Sequence, residues 1–279
     1  MNPLLDHSGL PAFPAIRPEH VEVAVREQLL ANRKTLERVL AEGERTFTGL
    51  VEPLERMQHR LSRTWSPVSH LNAVMNNEAL RTAYTQCLPL ISEYQTELGQ
   101  NEALYQAYEE IARREGPQLD AAQRKVLDNA LRDFRLAGVA LDAERKARFK
   151  ELMQTLARLQ AKFEENVLDS AAAWSRHTVD EALLDGLPQG VIARARATAA
   201  SRNLEGWLLT LDQPTYLAVM THASNSGLRR ELYEAWLTRA SDRGPHERRF
   251  DNSALVEDIL RARHEAATLL GFASYTEMS

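Results

Sequence analysis

In the stretch "RARHEAATLLGF", residues 261–272, His264 is followed by Glu265, and the residue four positions after the histidine is Thr268. This opens like an H-E-x-x-H helix, in which two histidines on one face hold zinc and the glutamate activates the metal-bound water. A catalytic zinc takes three protein ligands and keeps one position open. Thr268 is a poor neutral ligand, and the residues four and three before His264 are Leu260 and Arg261, the second of which repels a cation. Glu265 follows His264 directly and so points about 100° round a helix from it. The spacing reads His264 as a polar-edge histidine on an amphipathic helix.

The other histidines are His7, His20, His59, His70, His177, His222 and His246, and no two of the eight are three or four apart. His246-Glu247 sits beside Arg248 and Arg249, a cationic setting hostile to a metal, and His70 in "SPVSHLN" reads as a histidine bonded at a helix packing surface. No G-x-S-x-G elbow is present, and Cys87 lies beside Leu88 on an apolar stripe, where cysteine behaves as a small hydrophobe. No Walker loop and no G-x-G-x-x-G supports nucleotide binding. Arg229, Arg230, Arg239, Arg243, Arg248 and Arg249 could hold a carboxylate such as a peptide terminus by bidentate bonds. Glu231, Glu234, Asp242 and Glu247 lie among them, the more usual pattern of a solvated face. These readings assign no catalytic, substrate-binding or metal-binding residue in the chain.

The elements that would position such groups are mostly helices. Pro18 opens a segment with Val21, Val25, Leu29, Leu36 and Leu40 on one stripe, closed by Gly43. Leu50, Leu54, Met57, Leu61 and Trp65 form the next stripe, and Ser66-Pro67 predicts a fresh start and a short helix. Helices are then predicted from Glu78 to Leu98, with Pro89 as a kink and Gly99 as the stop, and through "NEALYQAYEEIARREG". Asp120 with Gln123 makes an approximate capping box. After Asp142 the longest stripe runs through Phe149, Leu152, Leu156, Leu159, Phe163 and Val167.

Around residue 170 the helical period lapses. "AAAWSRHTVD" and "LEGWLLTLDQP" predict a small β-ribbon flanking a helix near Pro188 to Ala200, before helices resume at Pro214, Ser226 and Asn252. The expected fold class is mostly α, with long antiparallel helices, one β-ribbon and possible subregions 1–170 and 171–279. Ser274 and Glu277 form an S-x-x-E helix start followed by only two residues, and a helix below about 12 residues is marginal alone, so the sequence is expected to be cut here.

With 279 residues, 44% apolar and 26% charged, the composition is globular, and a net charge of -5 with interleaved bases argues against nucleic acid as a partner. A single cysteine fits a reducing compartment. No secretory leader is visible, and no run approaches the roughly 18 apolar residues of a membrane span, so cytoplasm is the expected address.

Several stretches carry a resemblance. "SPVSHLN" (66–72), "DNALRDF" (128–134), "NVLD" (166–169), "LEGWLLTLDQPTYLAVM" (204–220), "TRASDRGP" (238–245) and "RHEAATLLGF" (263–272) resemble, in collinear order from Asn2 to Ser279, the amino-terminal half of the thimet oligopeptidase family of zinc endopeptidases. The resemblance implies a two-half helical protein around a deep channel that admits short peptides. It also implies zinc held by an H-E-x-x-H helix and a further glutamate, all in the second half. None of those residues maps onto a position here, so the chain is expected to lack metal and activity by itself, with short peptides and the carboxy-terminal catalytic half as partners. A helical binding or scaffold protein complete as it stands is the alternative.

Overall fold

A computed structural model describes residues 2–42, 45–246 and 248–279. The expected helix stop at Gly43, and Glu247 among the arginines, lie outside the described residues. Eleven α-helices and one two-stranded sheet occur among the described residues, and they divide into two compact units. The first comprises Met1–Arg158 with Leu260–Ser279, and the second Leu159–Ile259.

The first unit is built on α1 (Pro18–Ala41), α2 (Glu52–Val74) and α3 (Glu78–Gly99), which pack on one another. Pro18 sits in the first turn of α1, where its missing donor is no loss. The α1 stripe buries Val21, Ala24, Val25 and Leu29, while Gln28 and Asn32 pair inside it, Gln28 Nε2 donating to Asn32 Oδ1 at 2.7 Å. A wide turn, Phe47–Val51, leads into α2 and is capped by the Thr46 hydroxyl, which accepts from the Gly49 N–H at 2.9 Å.

The expected restart at Ser66-Pro67 does not occur: α2 runs through to Val74 with Pro67 inside it. Proline removes one backbone donor, but Leu61, Thr64, Pro67 and Val68 are all buried on the same stripe. The Ser66 hydroxyl donates to the Ser62 carbonyl at 2.7 Å, turned back along the helix instead of capping a new one. Packing thus overrides the local start signal.

Asn77 caps α3 by accepting from the Leu80 N–H at 3.0 Å. Gly99 ends it as expected, and a Cβ there would lie 2.5 Å from the Ala137 Cβ, so the glycine also permits a close helix approach. Helix α4 (Glu102–Arg114) starts at the Asn101 cap and packs against α5 (Ala121–Leu136), whose Asp120–Gln123 capping box closes with both reciprocal bonds, at 2.8 and 3.1 Å.

Helix α6 (Ala143–Ala173) is the longest element. Its stripe is buried as expected at Phe149, Leu152 and Leu156. Beyond that the reading needs correcting: Leu159, Phe163 and Val167 are only half-buried, and Ala161, Asn166 and Ser170 take the buried positions. The reason is polar. Asn166 Nδ2 donates to Asn252 Oδ1 at 2.7 Å, Asn252 Nδ2 donates to the Phe163 carbonyl at 3.1 Å, and the Ser170 hydroxyl accepts the Ala240 N–H at 3.1 Å.

In the second unit β1 (Ser175–Thr178) pairs antiparallel with β2 (Trp207–Thr210), with Ser175 opposite Thr210 and Thr178 opposite Trp207. Leu208 and Leu209 are both buried, so β2 is covered on both faces, and α7 (Gln189–Ser201) packs against it. Gly206 adopts φ +82°, and a Cβ there would lie 2.3 Å from the Thr178 carbonyl oxygen, so only glycine lets the ribbon start. Helices α8 (Gln213–His222) and α9 (Ser226–Leu237) pack together over a core of Trp174, Leu184, Leu209, Val219, Leu228 and Leu232. Helix α10 (Ser253–Leu269) follows, then α11 (Tyr275–Met278), where the Ser274 hydroxyl accepts the Glu277 N–H at 3.2 Å.

Candidate functional site

The H-E stretch lies on α10. His264 is exposed, the Thr268 hydroxyl donates to the His264 carbonyl at 2.9 Å, and Glu265 is clamped by Arg148 of α6 through Nε and Nη2 at 2.6 and 2.9 Å. That bond holds the Glu265 carboxyl below the usual carboxylate range. Neither side chain of the motif is turned to a shared ligand.

The other histidines are dispersed. His7 contacts the Thr64 hydroxyl at 3.2 Å, His20 Nδ1 accepts the Arg17 N–H at 3.0 Å, and His177 Nε2 lies 2.7 Å from the Glu205 carbonyl. His70, read as bonded within a helix packing surface, is instead exposed with its ring 5.7 Å from that of Phe13. Among the described residues no three of His, Cys, Asp and Glu converge as a metal ion would require, so this donor set does not fit a three-ligand catalytic zinc. Cys87 is fully buried, and burial pushes its thiol up to about 11, which makes it a packing residue and not a nucleophile.

The arginine-rich region does not converge on one carboxylate. Arg229 donates to the carbonyls of Ala223 and Ser224, Arg230 pairs with Glu234 at 2.9 Å, and Arg249 lies over the Phe250 ring at 4.9 Å. Arg239 lies 3.4 Å over the Trp236 ring, which itself stacks on Tyr216 at 4.4 Å. Burial lowers the pKa of this guanidinium from its usual value.

Two concavities of the first unit were not legible as sites. A groove of about 410 Å³ runs between α3 and α6, bounded by Pro89, Arg148, Glu151 and Arg158. A cavity of about 270 Å³ lies among α2, α3, α4 and α5, floored by Leu54, Met57, Leu104, Tyr108 and Phe134 and rimmed by Glu55, Gln58, Gln95 and Asp133. The periodicity marks Leu54, Tyr108 and Phe134 as inward-facing, but whether a stripe meets a neighbour or a void depends on side chains far apart in sequence.

Fold and residue pattern together define the class: a mostly helical region with one small antiparallel ribbon. The family model described as Neurolysin/Thimet oligopeptidase, N-terminal domain, matches residues 24–146, and the one described as Peptidase family M3 matches 219–279. Oligopeptidase A of Escherichia coli is 48% identical over 278 residues, covering 98% of this chain and 41% of the relative. Oligopeptidase A of Haemophilus influenzae is 44% identical over 279 residues, covering all of this chain and 41% of its own length. A probable cytosolic oligopeptidase A of Arabidopsis thaliana is 35% identical over 288 residues, covering 100% of this chain and 40% of its own length. The chain belongs to the thimet oligopeptidase family, peptidase family M3, and spans about two fifths of the length of these curated relatives.

Proposed function

We propose that this chain is the amino-terminal wall of a peptide channel in a zinc-dependent endopeptidase that hydrolyses short oligopeptides in the cytoplasm. The observation that carries the reading is the collinear 44–48% identity to two bacterial proteins named Oligopeptidase A, across 98% or more of this chain. The match of its first helices to a neurolysin/thimet amino-terminal domain supports it. When bound, the zinc of such an enzyme supplies a Lewis acid and an activated water. In this reading its ligands belong to the part of the relatives' length that this chain does not span. In this reading the chain's own residues shape and solvate the channel and move no proton in the reaction. The cytoplasmic assignment accords with the lone, buried Cys87 and with the relative whose name places it in the cytosol.

The test uses the purified 279-residue chain, checked for intactness by mass. It is expected to bind no stoichiometric zinc and to leave a short quenched-fluorescence peptide uncut, whereas co-expression with the remaining length of a relative should yield chelator-sensitive cleavage. Stoichiometric zinc and chelator-sensitive cleavage by the chain alone would overturn the reading. A well-ordered chain that captures no catalytic portion would favour a self-contained helical binding or scaffold protein instead.

A further inference from the structure

The α2–α5 cavity has the features of a built site. Its floor is apolar and buried at Leu54, Met57, Leu104 and Phe134. An engineered cavity of about 150 Å³ takes up benzene, so about 270 Å³ has room for a ring with a short chain. Tyr108 lines the same space, is 4% exposed, and meets Phe134 edge-on at 5.4 Å. Its hydroxyl makes no hydrogen bond among the described residues. The hydroxyl oxygen keeps access to solvent, and so to a donor or acceptor of a ligand in the cavity.

The rim is anionic. Glu55 makes no ion pair or hydrogen bond among the described residues, Asp133 is engaged only through Oδ1 by Arg132, and no lysine or arginine lines the space. Burial, reinforced by the Glu55 charge, holds the Tyr108 phenol above its usual range and therefore protonated. An uncompensated carboxylate beside an apolar pocket selects a cation with an apolar body and disfavours an anion of the same shape.

We propose that this cavity binds a small organic ammonium ion, its aromatic or branched body among Leu54, Met57 and Phe134, its ammonium at Glu55, and the Tyr108 hydroxyl accepting one N–H. The site rests on nothing in the peptidase reading and would stand if that reading fell.

The probe is 2-phenylethylammonium, titrated into the 279-residue chain by calorimetry, with 2-phenylethanol and 3-phenylpropionate as its neutral and anionic counterparts. Saturable one-to-one binding of the ammonium is expected, with the alcohol about tenfold weaker, the scale of one charge-assisted bond, and the carboxylate not bound. Glu55→Gln, an exposed change that leaves the floor intact, is expected to weaken the ammonium about tenfold, and Tyr108→Phe to weaken it about threefold. Ala130→Phe, which fills the space, should abolish binding with an unchanged circular dichroism spectrum, and if that variant does not fold, Glu55→Gln decides. No saturable ammonium signal, equal binding of the alcohol, or unchanged affinity in Glu55→Gln would each overturn the proposal.

Discussion

The interior of each unit is built by different means. In the first, long helices bring aliphatic stripes together: Val21, Val25, Leu50, Leu104, Ile111 and Leu127 are each at most 2% exposed. Burying a side chain of this kind contributes about 1.5–3 kcal/mol. In the second, short helices and a ribbon are pinned by polar groups: the Asn166–Asn252 pair, the Ser170 bond to Ala240, and Asp212. The Asp212 carboxylate takes the Thr215 N–H at 3.0 Å and the Thr210 and Thr215 hydroxyls at 2.7 Å each. The difference teaches where robustness should lie. An aliphatic core fails by losing volume, and a polar pin fails by leaving its partner unsatisfied.

The sharpest way to test this contrast is a volume deletion in the first unit. Ile111→Ala, at a position with no exposure, is expected to destabilise by about 3–4 kcal/mol, read as a lower denaturant midpoint at unchanged slope. A loss under about 1 kcal/mol would mean that the stripe repacks and is not tightly filled.

In the second unit the matching change is Asn252→Ala, which strands the buried Asn166 amide. About 2 kcal/mol is expected, the cost of leaving such groups unpaired. Three of the four tryptophans, Trp174, Trp207 and Trp236, lie in that unit, and the only cysteine, buried Cys87, in the other. The tryptophan-weighted transition should therefore shift more than the rate of Cys87 labelling by a thiol reagent. Equal movement of the two probes would break the contrast.

Asp212→Ala removes the α8 cap and should destabilise by about 1–2 kcal/mol at neutral pH. Burial alone would raise the Asp212 carboxyl, but the threonine bonds and Arg194 outweigh it and hold the group below its ordinary 3.8. A folded-state value below the unfolded one gives stabilisation that is complete above the unfolded value and disappears as pH falls through the folded one. The wild-type chain should thus lose stability between about pH 5 and the lower folded value, and Asp212→Ala should flatten that acid limb. A parallel acid limb in the variant would remove Asp212 from the account.

Glu265→Gln should have the smallest effect. The Arg148–Glu265 pair is well formed but largely in solvent, where such pairs contribute little, so no resolvable change in thermal midpoint is expected. A clear drop would show that this clamp fastens α10 to α6 more firmly than its exposure suggests.

Much of the helical frame was legible. The Asp120 start marker, stripes such as Phe149-Leu152-Leu156, and the ribbon at 175–178 and 207–210 all stand where residue type and spacing put them. The failures share one cause. At Pro67 and along Leu159-Phe163-Val167 a local signal met a distant partner: the buried stripe that carries α2 onward, and Asn252 against Asn166.

By itself, then, the sequence determined the helical class and the family, because these follow from residue type and from spacings within a few turns. Only the tertiary structure decided that Glu265 is held by Arg148 and that Arg229, Arg230, Arg239 and Arg249 go to separate partners. It also decided that a void floored by Tyr108 and Phe134 opens beside Glu55. Those facts depend on groups many residues apart meeting across helix faces, and no local period encodes which faces meet or how closely they fill.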